Sequence, residues 1–256
     1  MKNRTKYIIF LSAVFIFAFA AIIFKNRVGN KLISAARQTY MEKRLPIYGV
    51  STEKKQVALS FDAAWDNEDT EILLSILEKH NVKVTFFMTG GWVKKYPEDV
   101  KKISEKGHDL GNHSMSHLQM SKISREKCKK EIAEVHNMVK ELTGKEMCLF
   151  RPPYGDYNNM LIDCVEECGY YPIQWSVDSL DWKDYGADSI VNKVLNHKYL
   201  RPGAIILMHN GAKYTKDALE RVIVGLKEKG YEIVPISRLI YKSKYKIDHE
   251  GMQYLY

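Results

Sequence analysis

The chain has 256 residues, 45% of them hydrophobic, which is enough for one substantial core and predicts one globular domain with appendages. Its net charge of +8 is unevenly placed: residues 1–55 hold eleven Lys or Arg against Glu42 and Glu53, and the rest of the chain sums to −1. A neutral globular part excludes nucleic acid as the expected partner.

Residues 1–6 are a short basic start. Residues 7–24 form an uncharged apolar run of the minimum length for a membrane-spanning helix. Ala18-Phe19-Ala20 resembles a signal-peptide cleavage site, but the apolar run continues through Phe24, so an uncleaved signal anchor is preferred, with the large domain outside the cytoplasm. Basic residues on both sides give no clean orientation. Residues 25–54 read as a basic tether with a short helix over 31–43, its cations favouring anionic lipid. Cys128, Cys164 and Cys168 with Cys148 could make two disulfides in an oxidising compartment, although buried or free thiols are the preferred reading.

From residue 55 to 242, strand-like and helix-like runs alternate. Strands are expected over 57–61, 82–87, 108–112, 149–151, 171–177, 204–208 and 232–235. Amphipathic helices are expected over 70–80, 97–106, 124–142 (capped by Ser124 and stopped before Gly144), 158–168, 187–196 and 216–229. This alternation predicts a parallel sheet with helices outside it, most simply a barrel of six to eight units. Residues 243–256 read as a polar tail tipped with aromatic residues.

The chemistry-bearing residues collect at predicted strand ends. His113 and His117, four apart, would present both imidazoles on one side of a helical turn, a spacing suited to one metal ion. Asp62 ends the first strand, Arg151 with Pro152-Pro153-Tyr154-Gly155 ends another, Asp178 to Trp182 another, and His209 a late one. The carboxyl ends of parallel barrel strands are where an active site forms. Any one of these residues has a bland explanation as a cap, turn or packing group; their joint placement does not.

The same residues resemble the polysaccharide deacetylases, the NodB homology domain of carbohydrate esterase family 4, over residues 55–240. The matching motifs are His113-Ser114-Met115-Ser116-His117, Arg151-Pro152-Pro153-Tyr154, Asp178 to Trp182, and Leu207-Met208-His209. The resemblance implies an irregular (β/α) barrel and hydrolysis of N-acetyl groups on a polysaccharide, peptidoglycan foremost and chitin-like chains or exopolysaccharide as alternatives. It implies a divalent metal ion, zinc being the expected one, on His113 and His117. Asp62 would be the base, Arg151 its orienting partner, His209 the proton donor raised by Asp181, and the Tyr154 backbone N–H an oxyanion donor. Trp182 and Leu207 would wall the acetyl methyl, and Asp178 would be structural.

One position departs from the family pattern: Ser60-Phe61-Asp62-Ala63 stands where Thr-Phe-Asp-Asp is usual, so the second Asp, a metal ligand, is Ala63. Asp66, Glu68 or Asp69 could supply the missing ligand from the following loop, or water could. The alternative this substitution favours is a glycan-binding module of the same fold with weak or lost catalysis. A third reading, a hydrolase of small amides, would need a closed pocket.

Overall fold

In the computed structural model the described residues are 43–256, together with Lys25 and Gly29. The membrane anchor expected at 7–24 and all but the last residue of the helix expected over 31–43 lie outside them. Among the described residues, no helix is long and apolar enough to cross a membrane.

The spine of the fold is β2 (Gln56–Ala63). Its side chains alternate between faces, as a strand requires. Val57, Leu59, Phe61 and Ala63 join the large apolar layer under the helices, whereas Ala58 belongs to a second cluster inside the curl of the sheet. Ser60 and Asp62 share that inner face.

β2 pairs in parallel with β3 (Thr85–Met88) on one side and β8 (Ile205–Asn210) on the other. The sheet continues from β3 through β4 (Asp109–Asn112) and β5 (Leu149–Phe150) to β6 (Tyr171–Pro172), and from β8 to β7 (Val177–Asp178). Every ladder in it is parallel, including that of β9 (Glu232–Ile233) with the start of β2.

Helices α1 (Thr70–Lys79), α2 (Gly90–Lys95), α3 (Pro97–Glu105), α4 (Arg125–Thr143), α5 (Asn159–Glu167), α6 (Ala187–Leu195) and α7 (Thr215–Glu228) cover the outer face, with a short α8 (Ile236–Leu239) near the end. The caps on α4 are those expected: Ser124 Oγ accepts from the Lys127 N–H, and Gly144 takes the left-handed conformation at φ 68°.

Three expectations need correction. The strand predicted over 171–177 is two short strands at opposite edges of the sheet. Pro172 has no N–H to extend a ladder, and the chain then crosses the opening: Ile173 N–H bonds to Phe150 O, Gln174 N–H to Ile47 O, and Ser176 N–H to Ile205 O. The sheet is thus a curled half-barrel rather than a closed barrel. Nor are the ends of the domain at 55 and 242, since residues 44–256 form one compact unit. β1 (Gly49–Val50), placed by sequence in the tether, pairs with β11 (Met252–Leu255), and β11 pairs with β10 (Tyr245–Ile247), both placed by sequence in a tail. Ile47 and Val50 are buried.

Candidate active site

Because all strands of the large sheet run parallel, their carboxyl ends gather at one end of the curl. Asp62 and His209 are direct partners in the β2–β8 register. Arg151 follows β5 and is fully buried: Nη1 donates to Asp62 Oδ1 at 2.7 Å and Nη2 to Ser60 Oγ at 2.8 Å. Its guanidinium lies over the Phe87 ring at 4.1 Å. Gly111, the register partner of Phe87, leaves room for that ring, since a Cβ there would stand 2.4 Å from it. Burial works to raise the Asp62 pKa, but the charge of Arg151, then those of His113 and His209, outweigh it and hold the carboxyl below its ordinary value.

His113 and His117 do meet, though not on a helical turn. Residues 113–117 form a loop in which Ser114 and His117 take φ of 66° and 52°, conformations that cost a non-glycine residue about 1 kcal/mol or more. The loop is held there from three sides. Asn112 Oδ1 accepts from Ser114 N–H at 3.0 Å, Ser114 Oγ from His117 N–H at 3.1 Å, and Glu131 Oε2, on α4, from Ser116 N–H at 2.7 Å. The two Nε2 atoms end 3.2 Å apart. His113 Nδ1–H donates to Arg151 O at 2.7 Å, so Nε2 is the nitrogen with a free lone pair. Burial pushes His113 down to about 4 and lowers His117 as well, which keeps both rings neutral at neutral pH. Asp62 Oδ2 lies 3.5 Å from His113 Nε2.

On the other side of Asp62, His209 Nδ1–H donates to Asp181 Oδ1 at 2.7 Å. Fully buried Asp181 also accepts, at Oδ2, from the His209 N–H at 2.7 Å and from Thr215 Oγ1 at 2.6 Å. Burial of His209 disfavours its cation, yet the hydrogen bond and charge of Asp181, aided by Asp62 and Asp178, raise its pKa above the ordinary value. Asp178 accepts from Leu180 N–H at 2.9 Å, bending the chain toward Asp181. Tyr154 and Trp182 are exposed, and the Tyr154 ring meets His117 edge-on at 4.5 Å. Leu207 is buried and is the register partner of Ser60.

None of the three loop carboxylates reaches the imidazoles. Asp66 faces Lys95 and Tyr96, Asp69 is paired with Lys216 at 2.7 Å, and Glu68 is exposed. Ala63 is turned outward into the layer under the helices, so its β-carbon is on the opposite face from Asp62. Among the described residues no group of three or more His, Cys, Asp or Glu side chains is arranged to hold a metal. The four cysteines carry no disulfide.

A metal ion would find two well-placed donors. Two nitrogens 3.2 Å apart match donors on a tetrahedral zinc, which at ~2.0–2.1 Å from the ion stand about 3.3 Å from each other. His113 and His117 therefore fit such an ion, with Asp62 the carboxylate facing them.

Four residues around this site escaped sequence reasoning: Ser60, Glu131 and Thr215, whose side chains bond to it, and Trp65, whose ring stacks on His209. Only Trp65 carried a usable signal, as a tryptophan three residues beyond Asp62 in a polar loop. The other three act on partners distant in sequence.

The polysaccharide deacetylase family profile matches residues 49–173. A peptidoglycan-N-acetylglucosamine deacetylase of Bacillus cereus is 35% identical over 80% of this chain and 76% of its own. The peptidoglycan-N-acetylmuramic acid deacetylase PdaA of Bacillus subtilis is 32% identical over 88% of this chain and 87% of its own. Among solved structures, the wild-type BA3943 protein of Bacillus anthracis, described as a CE4 family pseudoenzyme, superposes with a TM-score of 0.73 at 32% identity, over 82% of this chain and 73% of that one.

Proposed function

Since the chain belongs to the polysaccharide deacetylase family, we propose that it hydrolyses N-acetyl groups on peptidoglycan, with a divalent metal ion, at the outer face of the membrane. The observation that carries this reading is the convergence of Asp62, the two neutral imidazoles and the His209–Asp181 pair at one end of the sheet. The similarity to two peptidoglycan deacetylases supports the substrate class. The apolar run at 7–24 supports the location.

His113 and His117 would hold the ion, which when bound supplies Lewis-acid polarisation and a more acidic water. Asp62 accepts the proton of the attacking water as its oxygen bonds to the acetyl carbon. Arg151 keeps Asp62 ionised and aimed. The Tyr154 N–H steadies the oxygen of the tetrahedral intermediate. His209, protonated and oriented by Asp181, gives a proton to the departing nitrogen as the C–N bond breaks, leaving acetate and a free amine. Trp182, next to Asp181, and Leu207, two residues before His209, are the residues that would wall the acetyl methyl.

The test is acetate release from peptidoglycan with and without a chelator. Full activity after chelation, or in His113→Ala, would remove the metal from the reading. Asp62→Asn and His209→Ala are each expected to lower turnover by about 10²–10⁴-fold, with metal content unchanged in the His209 variant.

A second reading, a glycan-binding module without efficient catalysis, is favoured by Ala63 and by the similarity to a pseudoenzyme. It predicts glycan binding with no acetate release and no retained metal in the purified protein.

A further inference from the structure

The loop between β2 and α1 brings no carboxylate to the imidazoles, but it brings an indole to His209. The Trp65 ring stacks on the His209 ring with centroids 5.1 Å apart and planes 28° from parallel. Trp65 is nonetheless 48% exposed. It is not a core residue that happens to touch a histidine: one face covers the imidazole and the rest opens to solvent.

The loop that carries it is fastened along its length. Asp66 O accepts from Trp92 Nε1 at 3.5 Å, and Asp66 Oδ1 from Lys95 Nζ and Tyr96 OH at 3.4 Å each. Asn67 Nδ2 donates to Asp99 at 2.6 Å, and Asp69 is paired with Lys216 at 2.7 Å. Gly211, at φ 91°, permits the close approach of this loop to the end of β8. A Cβ there would meet Asp66 O at 3.1 Å and the Trp65 Cβ at 3.5 Å. The strand that bears His209 and the loop that bears Trp65 are therefore locked against each other.

What the stack adds follows from geometry. The bond from Nδ1 to Asp181 fixes the imidazole within its own plane, but one hydrogen bond leaves the ring able to tip out of that plane. An indole lying on the ring face blocks the tipping, and the two contacts together define where Nε2 sits. An aromatic face also favours a cation held over it.

We propose that Trp65 is a positioning residue for His209, holding the imidazole plane so that Nε2 meets the departing nitrogen. This rests on the reading of His209 as the proton donor. Because small misplacement of a proton donor costs about 10²-fold in rate, Trp65→Ala is expected to lower kcat by about 10–100-fold with KM within about threefold, and Trp65→Phe to restore most of the loss. In a His209→Ala background, Trp65→Ala is expected to change nothing further, since its effect passes through that ring.

A readout independent of turnover is the NMR position of the His209 ring C–H protons. Ring current from the indole shifts them upfield in the wild type and in Trp65→Phe, and the shift is lost in Trp65→Ala. Unshifted protons in the wild type, a Trp65→Ala enzyme with normal kcat, or independent multiplication of the two substitutions' effects would each overturn the proposal. A wild type that shows the upfield shift yet releases no acetate from any N-acetylated glycan would defeat the deacetylase reading, and with it the catalytic role of Trp65, while leaving the stack in place.

Discussion

Arg151 is a cation enclosed on all sides, with Asp62 as its carboxylate partner. Replacing it with Met leaves a buried carboxylate without a counter-charge, and such losses cost about 3–5 kcal/mol. Arg151→Met is therefore expected to unfold at lower denaturant concentration than the wild type. The sign with pH follows from the lowered Asp62 pKa: its stabilisation is present above the ordinary carboxylate range and is lost as pH falls through the folded value. In Arg151→Met that stabilisation is gone and burial pushes the Asp62 pKa up. The deficit relative to the wild type is therefore expected to narrow as pH falls and the carboxyl takes up a proton, while the acid limb of kcat/KM moves up. His209 has the opposite sign. Its raised pKa keeps it protonated beyond the usual imidazole range, so the alkaline limb of kcat/KM lies above that range and is expected to move down in Asp181→Asn. Ala63 gives a further contrast. Because it faces the apolar layer, Ala63→Asp buries a carboxyl away from the imidazoles, at a cost on the order of 3 kcal/mol, and is expected to lower the melting temperature without raising metal content.

The long elements were legible in the sequence because each carries its own periodicity. α4 spans Arg125–Thr143 between the cap and stop residues that the sequence named, and Ser124→Ala is expected to cost about 1 kcal/mol with kcat unchanged. The two-residue strands were legible only in part: Leu149–Phe150 and Glu232–Ile233 fall within expected strands, but Gly49–Val50 read as tether, and Tyr171–Pro172 and Val177–Asp178 read as one strand. A pair of residues has no room for alternation, and its register is set by neighbours far along the chain. The histidine pair shows a different limit. Spacing four apart named two residues whose imidazoles do meet, but they converge through a loop with two left-handed residues, held by Asn112, Ser114 and Glu131. The motif registers the outcome of that geometry and says nothing of the backbone that produces it. The hope that Asp66, Glu68 or Asp69 would complete the set failed for a related reason: lysines on α2 and α7, adjacent only in the folded chain, engage Asp66 and Asp69.

At the scale of the whole molecule, alternation of strand and helix identified the parallel sheet, and the placement of chemistry at strand ends followed from it. The closing of the domain could not be read locally, because the segments that do it look like a tether and a tail. Gln253, fully buried, donates to Tyr241 O and accepts from Tyr241 N–H, both at 2.7 Å. Deleting residues 243–256 is thus expected to uncover Ile47 and Val50 and to lower the melting temperature by several degrees or more, as scanning calorimetry would measure. β1 and β11 are about two hundred positions apart, and Ile47 also bridges to Ile173 at the opening crossed by residues 173–176. During synthesis the segment around Ile47 emerges early but has neither partner until much later. The central strands can pair while the chain is still growing, whereas the pairing of β1 with β11 waits until Met252 has been made, so this long-range contact is expected to form late in folding.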